Sequence, residues 1–206
     1  MISFVYFDVG GVAILDLSGT NKWNQIKDGL KIPKEQNKAF DNFFAYYEAN
    51  CTDWDIESLI PTIKTRFGGT IPNNYSMLAD FVVRFEKNPP LWPVIKEIKE
   101  KCKIGLLTNM YPRMLQAIKD RNLLPPVDWD VIIDSSVVKS LKPNKKIFEI
   151  AEKEAKVNKN EIVFVDNGIE NIQAARNFGW KTFLYDPANP VGSSNKLSDF
   201  FKRVNI

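Results

Sequence analysis

Short apolar runs alternate along much of the chain with longer segments that have helical periodicity. Five runs rich in β-branched and aromatic residues predict strands at residues 2–7, 104–108, 131–134, 162–166 and 182–185. Apolar residues recur at three-and-four spacing in four intervening segments, which predict helices at residues 90–101, 112–121, 144–156 and 170–178. Strands separated by helical crossovers are typical of a doubly wound parallel sheet, in which ligands bind at the carboxyl ends of the strands. The pattern therefore predicts an α/β fold.

Residues 16–87 interrupt this alternation because their apolar positions follow helical spacing only. Four stripes are visible: Trp23, Ile26 and Leu30; Phe40, Phe43, Phe44 and Tyr47; Ile56, Leu59, Ile60, Ile63 and Phe67; and Leu78, Phe81, Val82 and Phe85. Pro61 should kink the third helix or shorten its first turn. Four amphipathic helices can bury these faces against one another. We therefore expect an α/β core of residues 1–15 and 88–206, with an α-helical cap of residues 16–87 inserted after the first strand.

Composition excludes several classes of function. The formal charge of +3 is spread through helices that also carry Glu and Asp, so the chain has no nucleic-acid footprint. The sequence has no histidine and two distant cysteines, Cys51 and Cys102, which excludes zinc sites, Ser-His-Asp triads and Cys-His dyads. The apolar stretch at residues 2–7 is too short for a signal peptide or a membrane span. We expect a cytoplasmic protein with reduced thiols and neither a nucleic-acid nor a membrane partner.

Chemically useful side chains stand at the ends of three predicted strands. Asp8 follows the first strand, Thr108 ends the second and Asp166 ends the fourth. Because the carboxyl ends of parallel strands meet at one edge of a sheet, these side chains should converge. A carboxylate nucleophile, a hydroxyl and a second carboxylate at one edge predict a phosphoryl-transfer site.

Neighbouring residues supply further groups to this edge. Gly10 and Gly11 let the backbone turn tightly, so that amides and a carbonyl can approach a phosphate or a metal. Thr108 and the amide of Asn109 can hydrogen-bond phosphoryl oxygens at the start of a helix. Lys142 offers a positive charge to the nucleophile and to the transferring group. Two carboxylates, a backbone carbonyl and waters would make a hard oxygen site that suits Mg²⁺.

Four segments in order resemble those of a known family: FDVGGV at residues 7–12, LLTN at 106–109, SLKPNKKIF at 140–148 and FVDNGIENIQAARNFGW at 164–180. Over nearly its whole length the chain resembles the haloacid dehalogenase-like hydrolase superfamily, in the subgroup with a helical cap after the first motif. Within it, the chain looks most like small sugar-phosphate phosphatases. The resemblance implies that Asp8 forms an aspartyl-phosphate intermediate. It also implies that Mg²⁺ is bound by Asp8, the Gly10 carbonyl and Asp166.

Two positions depart from the family pattern. Phosphatases of the superfamily usually carry Asp two residues after the nucleophile, where it protonates the leaving oxygen and then activates water; here that residue is Gly10. Losing such a group typically costs about two to four orders of magnitude in rate. The site would then be slow, would select substrates with good leaving groups, or would use another carboxylate such as Asp16. Asn167 replaces a second acid that often follows Asp166, which removes one negative charge from the metal site.

Three functions remain open from the sequence. The resemblance implies a slow, Mg²⁺-dependent hydrolase of small phosphate monoesters such as sugar phosphates. The gap at Gly10 also fits a metal-independent 2-haloacid dehalogenase, in which Asp8 would attack carbon, form an alkyl ester and release halide. A catalytically degenerate protein that binds a phosphorylated ligand or a partner protein is the third. The sequence leaves open whether the protein is a monomer or a dimer.

Overall fold

The computed structural model of the protein describes residues 1–68 and 70–204. Its strands are β1 (Phe4–Phe7), β2 (Ile14–Leu15), β3 (Glu86–Lys87), β4 (Lys103–Thr108), β5 (Val131–Asp134), β6 (Ile162–Asp166) and β7 (Lys181–Leu184). Five of them form one sheet in the order β5-β4-β1-β6-β7, and every neighbouring pair is parallel. The predicted doubly wound α/β sheet is confirmed. β1 begins at Phe4, two residues later than the sequence pattern predicts.

Helices connect these strands and fill the long segment between β2 and β3. They are α1 (Lys22–Gly29), α2 (Asn37–Glu48), α3 (Ile60–Phe67), α4 (Met77–Val83), α5 (Trp92–Lys99), α6 (Met114–Asp120), α7 (Ser135–Val138), α8 (Lys145–Ala155), α9 (Ile169–Phe178) and α10 (Pro190–Arg203). α1 to α4 occupy the segment expected to form the cap. One cluster of buried apolar side chains runs from these helices to the sheet. The division into a core and a cap stays a prediction.

The register of the sheet brings the strand ends to one edge. Phe7, the last residue of β1, pairs with Leu106 of β4 and with Val165 of β6. All four residues of β1 are buried, and β6 is buried along its whole length. The segments that follow β1, β4 and β6 therefore emerge side by side, as expected for adjacent parallel strands.

The two connections between the sheet and the cap segment pair with each other. β2 and β3 form an antiparallel ribbon in which Ile14 lies opposite Lys87. Directly after β3, the buried Asn88 side chain donates hydrogen bonds from Nδ2 to the Val12 carbonyl (2.7 Å) and to the Tyr185 hydroxyl (3.0 Å). These contacts tie the returning chain to the turn that follows β1. The ribbon was not predicted, because strands of two residues carry no readable period.

The start of α6 lies later in the chain than the sequence predicts. α6 begins at Met114, and Arg113 before it has a φ of 69°, a left-handed conformation that cannot belong to a right-handed helix. The expectation that Thr108 and Asn109 stand at the start of a helix is therefore wrong, since a loop separates β4 from α6. Pro61 lies in the first turn of α3, where a proline is compatible with the helix. Within residues 1–68 and 70–204, no helix has the length and apolarity needed to cross a membrane.

Candidate active site

The Lys142 ammonium group lies at the point where the strand ends converge. Its Nζ is 2.9 Å from Oδ1 of Asp8 and 2.6 Å from Oδ2 of Asp166, and it also donates to the Leu107 carbonyl at 3.0 Å. The Lys142 and Asp166 side chains are 1% and 0% exposed. The structure thus brings three of the predicted site residues into direct contact. Their chemical roles stay predictions.

Asn109 holds the backbone of Lys142 in place. Its Nδ2 donates to the Lys142 carbonyl at 2.9 Å, and its Oδ1 accepts from the Lys142 amide at 2.8 Å. This reciprocal pair fixes the loop before α8 against the end of β4. From the sequence, we expect only the backbone amide of Asn109 to have a role, in binding phosphoryl oxygens. The side chain's positioning role carried no sequence signal, because the partner lies 33 residues away.

The Asp166 carboxylate is oriented by groups at the start of α9. Its Oδ1 accepts from the Gly168 amide at 2.6 Å, and the Asn171 side-chain amide lies 3.1 Å from Oδ1 and 3.2 Å from Oδ2. With Lys142 on Oδ2, every bond to Asp166 comes from a donor. These donors hold the Asp166 carboxylate in one orientation.

Two carboxylates share one ammonium group in this buried cluster. Burial opposes the charge on Lys142, but Asp166 and Asp8 together raise its pKa above the usual value, so the side chain stays positive. Burial raises the pKa of the Asp8 carboxyl to about 7, with Lys142 opposing the shift and Asp166 adding to it. When both carboxyl groups are ionised, the cluster carries one uncompensated negative charge. An added cation would offset it.

The donor set fits a hard cation of the Mg²⁺ type. The described residues contain no cluster of three His, Cys, Asp or Glu side chains arranged to hold a metal. A cation beside Asp8 and Asp166 would therefore rely on these two carboxylates, the Gly10 carbonyl and water. Mg²⁺ is commonly bound by one or two carboxylates while it keeps several waters. Softer metals prefer His or Cys ligands, and the chain has no histidine.

A tight turn carries the chain away from Asp8. The Ala13 amide donates to the Asp8 carbonyl at 3.2 Å, and the Ile14 amide donates to the Val9 carbonyl at 3.0 Å. Gly11 has a φ of 73°, and a Cβ at this position would overlap the side-chain amide of Asn167. A side chain at position 11 would therefore be strained and would displace Asn167.

A cavity of about 310 Å³ opens over the cluster. Asp8, Gly10, Thr108 and Lys142 line its inner end, and Asp16, Glu48, Phe81, Phe85 and Tyr111 are among the residues that line the rest. Burial raises the pKa of the Asp16 and Glu48 carboxyls, and the charge of Asp16 contributes to the shift of Glu48. A cavity of this size suits a small molecule. Glu48 and Tyr111 were not singled out in the sequence, where neither belongs to a motif.

Thr108 is 1% exposed and ends β4 beside the cluster. Its hydroxyl oxygen has no hydrogen-bond partner within residues 1–68 and 70–204. Buried hydroxyl groups are normally paired, so an unpaired one at the wall of a cavity indicates a group available to a ligand. Thr108 Oγ1 can donate a hydrogen bond to an anion held beside Lys142.

Several solved structures have a fold similar to that of this chain. A predicted HAD-like family hydrolase from Porphyromonas gingivalis superposes with a TM-score of 0.78 at 20% identity, covering 100% of this chain and 99% of that chain. A HAD family enzyme from Bacteroides thetaiotaomicron, crystallised with magnesium and inorganic phosphate, gives a TM-score of 0.70 at 19% identity, over 90% and 94% of the two chains. An L-2-haloacid dehalogenase gives 0.69 at 16% identity, over 98% and 99%. At these identities the similarity shows the shared fold alone.

The sequence itself also matches a family. A comparison with curated proteins finds no match. The model of the haloacid dehalogenase-like hydrolases, however, matches residues 7–179, a span that begins just before Asp8 and includes Thr108, Lys142 and Asp166. The match thus covers most of the chain and contains the whole buried cluster. The chain belongs to the haloacid dehalogenase-like hydrolase family.

Proposed function

We propose that the protein is a Mg²⁺-dependent phosphomonoesterase that acts on small soluble esters, such as sugar phosphates, through an aspartyl-phosphate at Asp8. One observation carries this proposal: the buried Lys142 ammonium joins the Asp8 carboxyl to a second buried carboxyl, that of Asp166. A cation would offset the negative charge left in this cluster. Attack on phosphorus uses such a cation, because the transferring group is itself an anion.

The second carboxylate distinguishes phosphorus chemistry from carbon chemistry. A metal-free attack of Asp8 on the carbon of a haloacid needs no further carboxylate beside the nucleophile. Asp166 would then be a buried charge that weakens the attraction of Lys142 for the substrate's own carboxylate. Its three donors, Lys142, Gly168 and Asn171, hold it in place as expected for a functional group.

Each residue of the site has a separate role in the proposed reaction. Asp8 attacks phosphorus in line with the leaving oxygen, and its carboxylate becomes the aspartyl-phosphate. Lys142 balances the charge of the attacking carboxylate and the phosphoryl oxygens, while Thr108 donates a hydrogen bond from its unpaired hydroxyl. Mg²⁺, held by Asp8, Asp166 and the Gly10 carbonyl, would neutralise charge on the phosphoryl group.

The cavity supports a small substrate. Its volume of about 310 Å³ lies at the low end of the volumes of small-molecule sites, which range over about 300–1,000 Å³. Both Cys51 and Cys102 are free thiols, which agrees with the cytoplasmic location that we propose. The proposed partner is a small molecule, and we propose neither a nucleic-acid nor a membrane partner. Phe81 and Phe85 give one wall an apolar surface against which the carbon skeleton of an ester can pack.

Hydrolysis of p-nitrophenyl phosphate tests the proposal, with Asp8→Asn as the matched control. We expect release of p-nitrophenol that requires both Mg²⁺ and Asp8 and stops when EDTA is added. Beryllofluoride, which mimics an aspartyl-phosphate, should bind the wild-type protein with Mg²⁺ and give a ¹⁹F signal that Asp8→Asn lacks. Absence of both Asp8-dependent release and beryllofluoride binding would contradict phosphatase function.

A 2-haloacid dehalogenase is the second candidate, because Gly10 offers no carboxylate for hydrolysis of a phosphoenzyme. Chloride release from L-2-chloropropionate in the presence of EDTA would favour it. In that case Asp8→Asn should abolish the release, and Asp166→Asn should leave it nearly unchanged.

A further inference from the structure

The carboxylate of Asp16 occupies the space that a side chain at position 10 would use. A Cβ placed on Gly10 would lie 2.5 Å from Oδ2 of Asp16 and 3.3 Å from its Cγ. We propose that Asp16 is the acid and base catalyst of this enzyme, in place of the aspartate missing at position 10. This inference rests on the phosphomonoesterase function proposed above.

The local backbone brings Asp16 back over the turn that follows the nucleophile. β2 ends at Leu15 and is held by its pairing with β3, so residue 16 emerges at a fixed place. The Ser18 amide donates to Oδ1 of Asp16 at 2.8 Å. One carboxylate oxygen is therefore anchored, while Oδ2 approaches Gly10. Asp16 is a positioned group and not a mobile surface carboxylate.

Asp16 lines the same cavity as the nucleophile. Asp8, Thr108 and Lys142 form its inner end, and Asp16 belongs to the wall on the side of Gly10. Glu48 is another carboxylate of this cavity, but it stands at the end of α2 and its atoms are not among those nearest to position 10. Of the two, Asp16 is the carboxylate in contact with the turn after Asp8.

The structure also explains why position 10 is glycine. Any side chain there would collide with Oδ2 of Asp16, because the distance of 2.5 Å is shorter than real Cβ atoms allow. The carboxylate of Asp16 and a side chain at position 10 therefore exclude each other. Glycine at position 10 leaves room for the carboxylate supplied from position 16, and this fit supports the proposal that the acid is displaced and not lost.

The chemistry balances with Asp16 in this role. As Asp8 bonds to phosphorus, the ester P–O bond breaks and its electron pair leaves on the alkoxide oxygen, which takes the proton of the Asp16 carboxylic acid. Water then attacks the phosphorus of the aspartyl-phosphate and gives its proton to the Asp16 carboxylate. The bond between Asp8 and phosphorus breaks, its electrons return to the Asp8 carboxylate, and inorganic phosphate leaves.

The dependence on the leaving group tests this role, because only a basic leaving oxygen needs a proton. Two esters are compared in the presence of Mg²⁺. The p-nitrophenolate of p-nitrophenyl phosphate leaves without being protonated, whereas the alkoxide of glycerol 3-phosphate must be protonated as it leaves. We expect Asp16→Asn to lower kcat/KM for the alkyl ester by about 10²- to 10⁴-fold. With the aryl ester, we expect a burst of about one p-nitrophenol per active site and then slow turnover, because the phosphoenzyme lacks its base. Asp199→Asn, which removes a surface carboxylate paired with Lys202, should match the wild type.

Position 10 gives a second, independent test. Gly10→Ala should displace the Asp16 carboxylate and reduce alkyl-ester turnover, and the Gly10→Ala/Asp16→Asn double variant should be no slower than Asp16→Asn alone. Gly10→Asp should restore part of the activity when combined with Asp16→Ala, because alanine vacates the space beside position 10 and Gly10→Asp returns a carboxylate to it. This rescue separates catalysis from a role of Asp16 in folding.

The outcomes separate the two proposals. Equal, small losses with both esters in Asp16→Asn, without a burst, would overturn the role of Asp16 and leave the phosphatase function standing. So would a Gly10→Ala variant with wild-type rates on the alkyl ester. A wild-type protein without Asp8-dependent release from either ester would overturn the proposed function, and the role of Asp16 with it.

Discussion

Nζ of Lys142 lies 2.6 Å from Oδ2 of Asp166, and neither side chain reaches solvent to more than 1%. A pair of this kind is neutral by itself, but Asp8 adds a second carboxylate at 2.9 Å from the same nitrogen. The folded protein therefore holds two buried carboxyl groups with one ammonium group between them. Its stability near the site should depend on that one positive charge.

Removing the ammonium should destabilise the fold more than removing any surface lysine. We expect Lys142→Met to lower the free energy of unfolding by about 3–5 kcal/mol, because it leaves two buried carboxylates without their partner. Urea denaturation followed by circular dichroism measures the change. Mg²⁺ should raise the Tm of this variant more than that of the wild type, since the cation replaces the lost charge. Lys202→Met, at an exposed pair, is the control and should change little; an equal loss in both variants would contradict the argument.

The unpaired hydroxyl of Thr108 allows function and stability to be separated. Thr108→Val keeps the shape of the side chain and removes a buried polar group without a partner in the described part of the chain. We expect the free energy of unfolding to stay the same or rise slightly. Turnover of p-nitrophenyl phosphate should fall about 10-fold or more, because a donor to the transferring phosphoryl group is lost. A clear drop in Tm with unchanged turnover would show that the hydroxyl serves the fold.

The strands of the site could be predicted because their sequences carry the signal locally. β4 and β6 are continuous apolar runs, and each ends in the polar residue that reaches the site, Thr108 or Asp166. The fold class follows from their alternation with helices. The pattern does not predict contacts between residues that are distant in the sequence, such as the hydrogen bonds between the Asn109 side chain and the backbone of Lys142.

What the sequence missed has one local cause and one long-range cause. The helix predicted from residue 112 starts at Met114, because Arg113 takes a left-handed conformation that no hydrophobic pattern encodes. The place of Asp16 depends on a two-residue ribbon, β2 with β3, whose partners are more than 70 residues apart. The sequence identified Asp16 as a candidate replacement for the missing acid, but its approach to Gly10 is visible only in the folded chain.

An exposed ion pair joins the segment before α3 to the start of α6. Arg113 donates from Nε to Oδ2 of Asp55 at 2.7 Å and from a terminal nitrogen to Oδ1 at 2.6 Å, and this bonding lowers the Asp55 pKa. Because the side chains are 55% and 36% exposed, we expect a coupling of about 0.2–1 kcal/mol in a double-mutant cycle of Asp55→Asn and Arg113→Met.

The coupling between Asp55 and Arg113 should depend on pH and salt. The folded pKa of Asp55 is lowered, so its stabilisation is present above the ordinary carboxyl pKa of about 3.9 and is lost as the pH falls through the lowered folded value. Repeating the cycle at pH 7 in low and high salt should show a weaker coupling in high salt. A coupling above about 2 kcal/mol, or one that salt leaves unchanged, would indicate that the pair is more desolvated than its exposure implies.

Asn88 should be the residue through which the returning chain is fixed to the sheet. Its side-chain amide is fully buried and donates to the Val12 carbonyl and to the Tyr185 hydroxyl, which itself retains contacts with Pro190 and Ser194. In Asn88→Ala, the Tyr185 hydroxyl would keep its other partners, whereas the Val12 carbonyl would lose the donor that Asn88 provides.

The expected cost of Asn88→Ala is that of an unsatisfied buried acceptor, about 1–3 kcal/mol in the free energy of unfolding by urea denaturation. Asn177→Ala, at an exposed position of α9, is the matched control and should stay within about 0.5 kcal/mol of the wild type. Because Val12 follows the turn that carries Gly10, the loss should also loosen the approach of Asp16. Turnover of an alkyl ester should then fall further than turnover of p-nitrophenyl phosphate. A stability loss with equal effects on both esters would confine Asn88 to the fold.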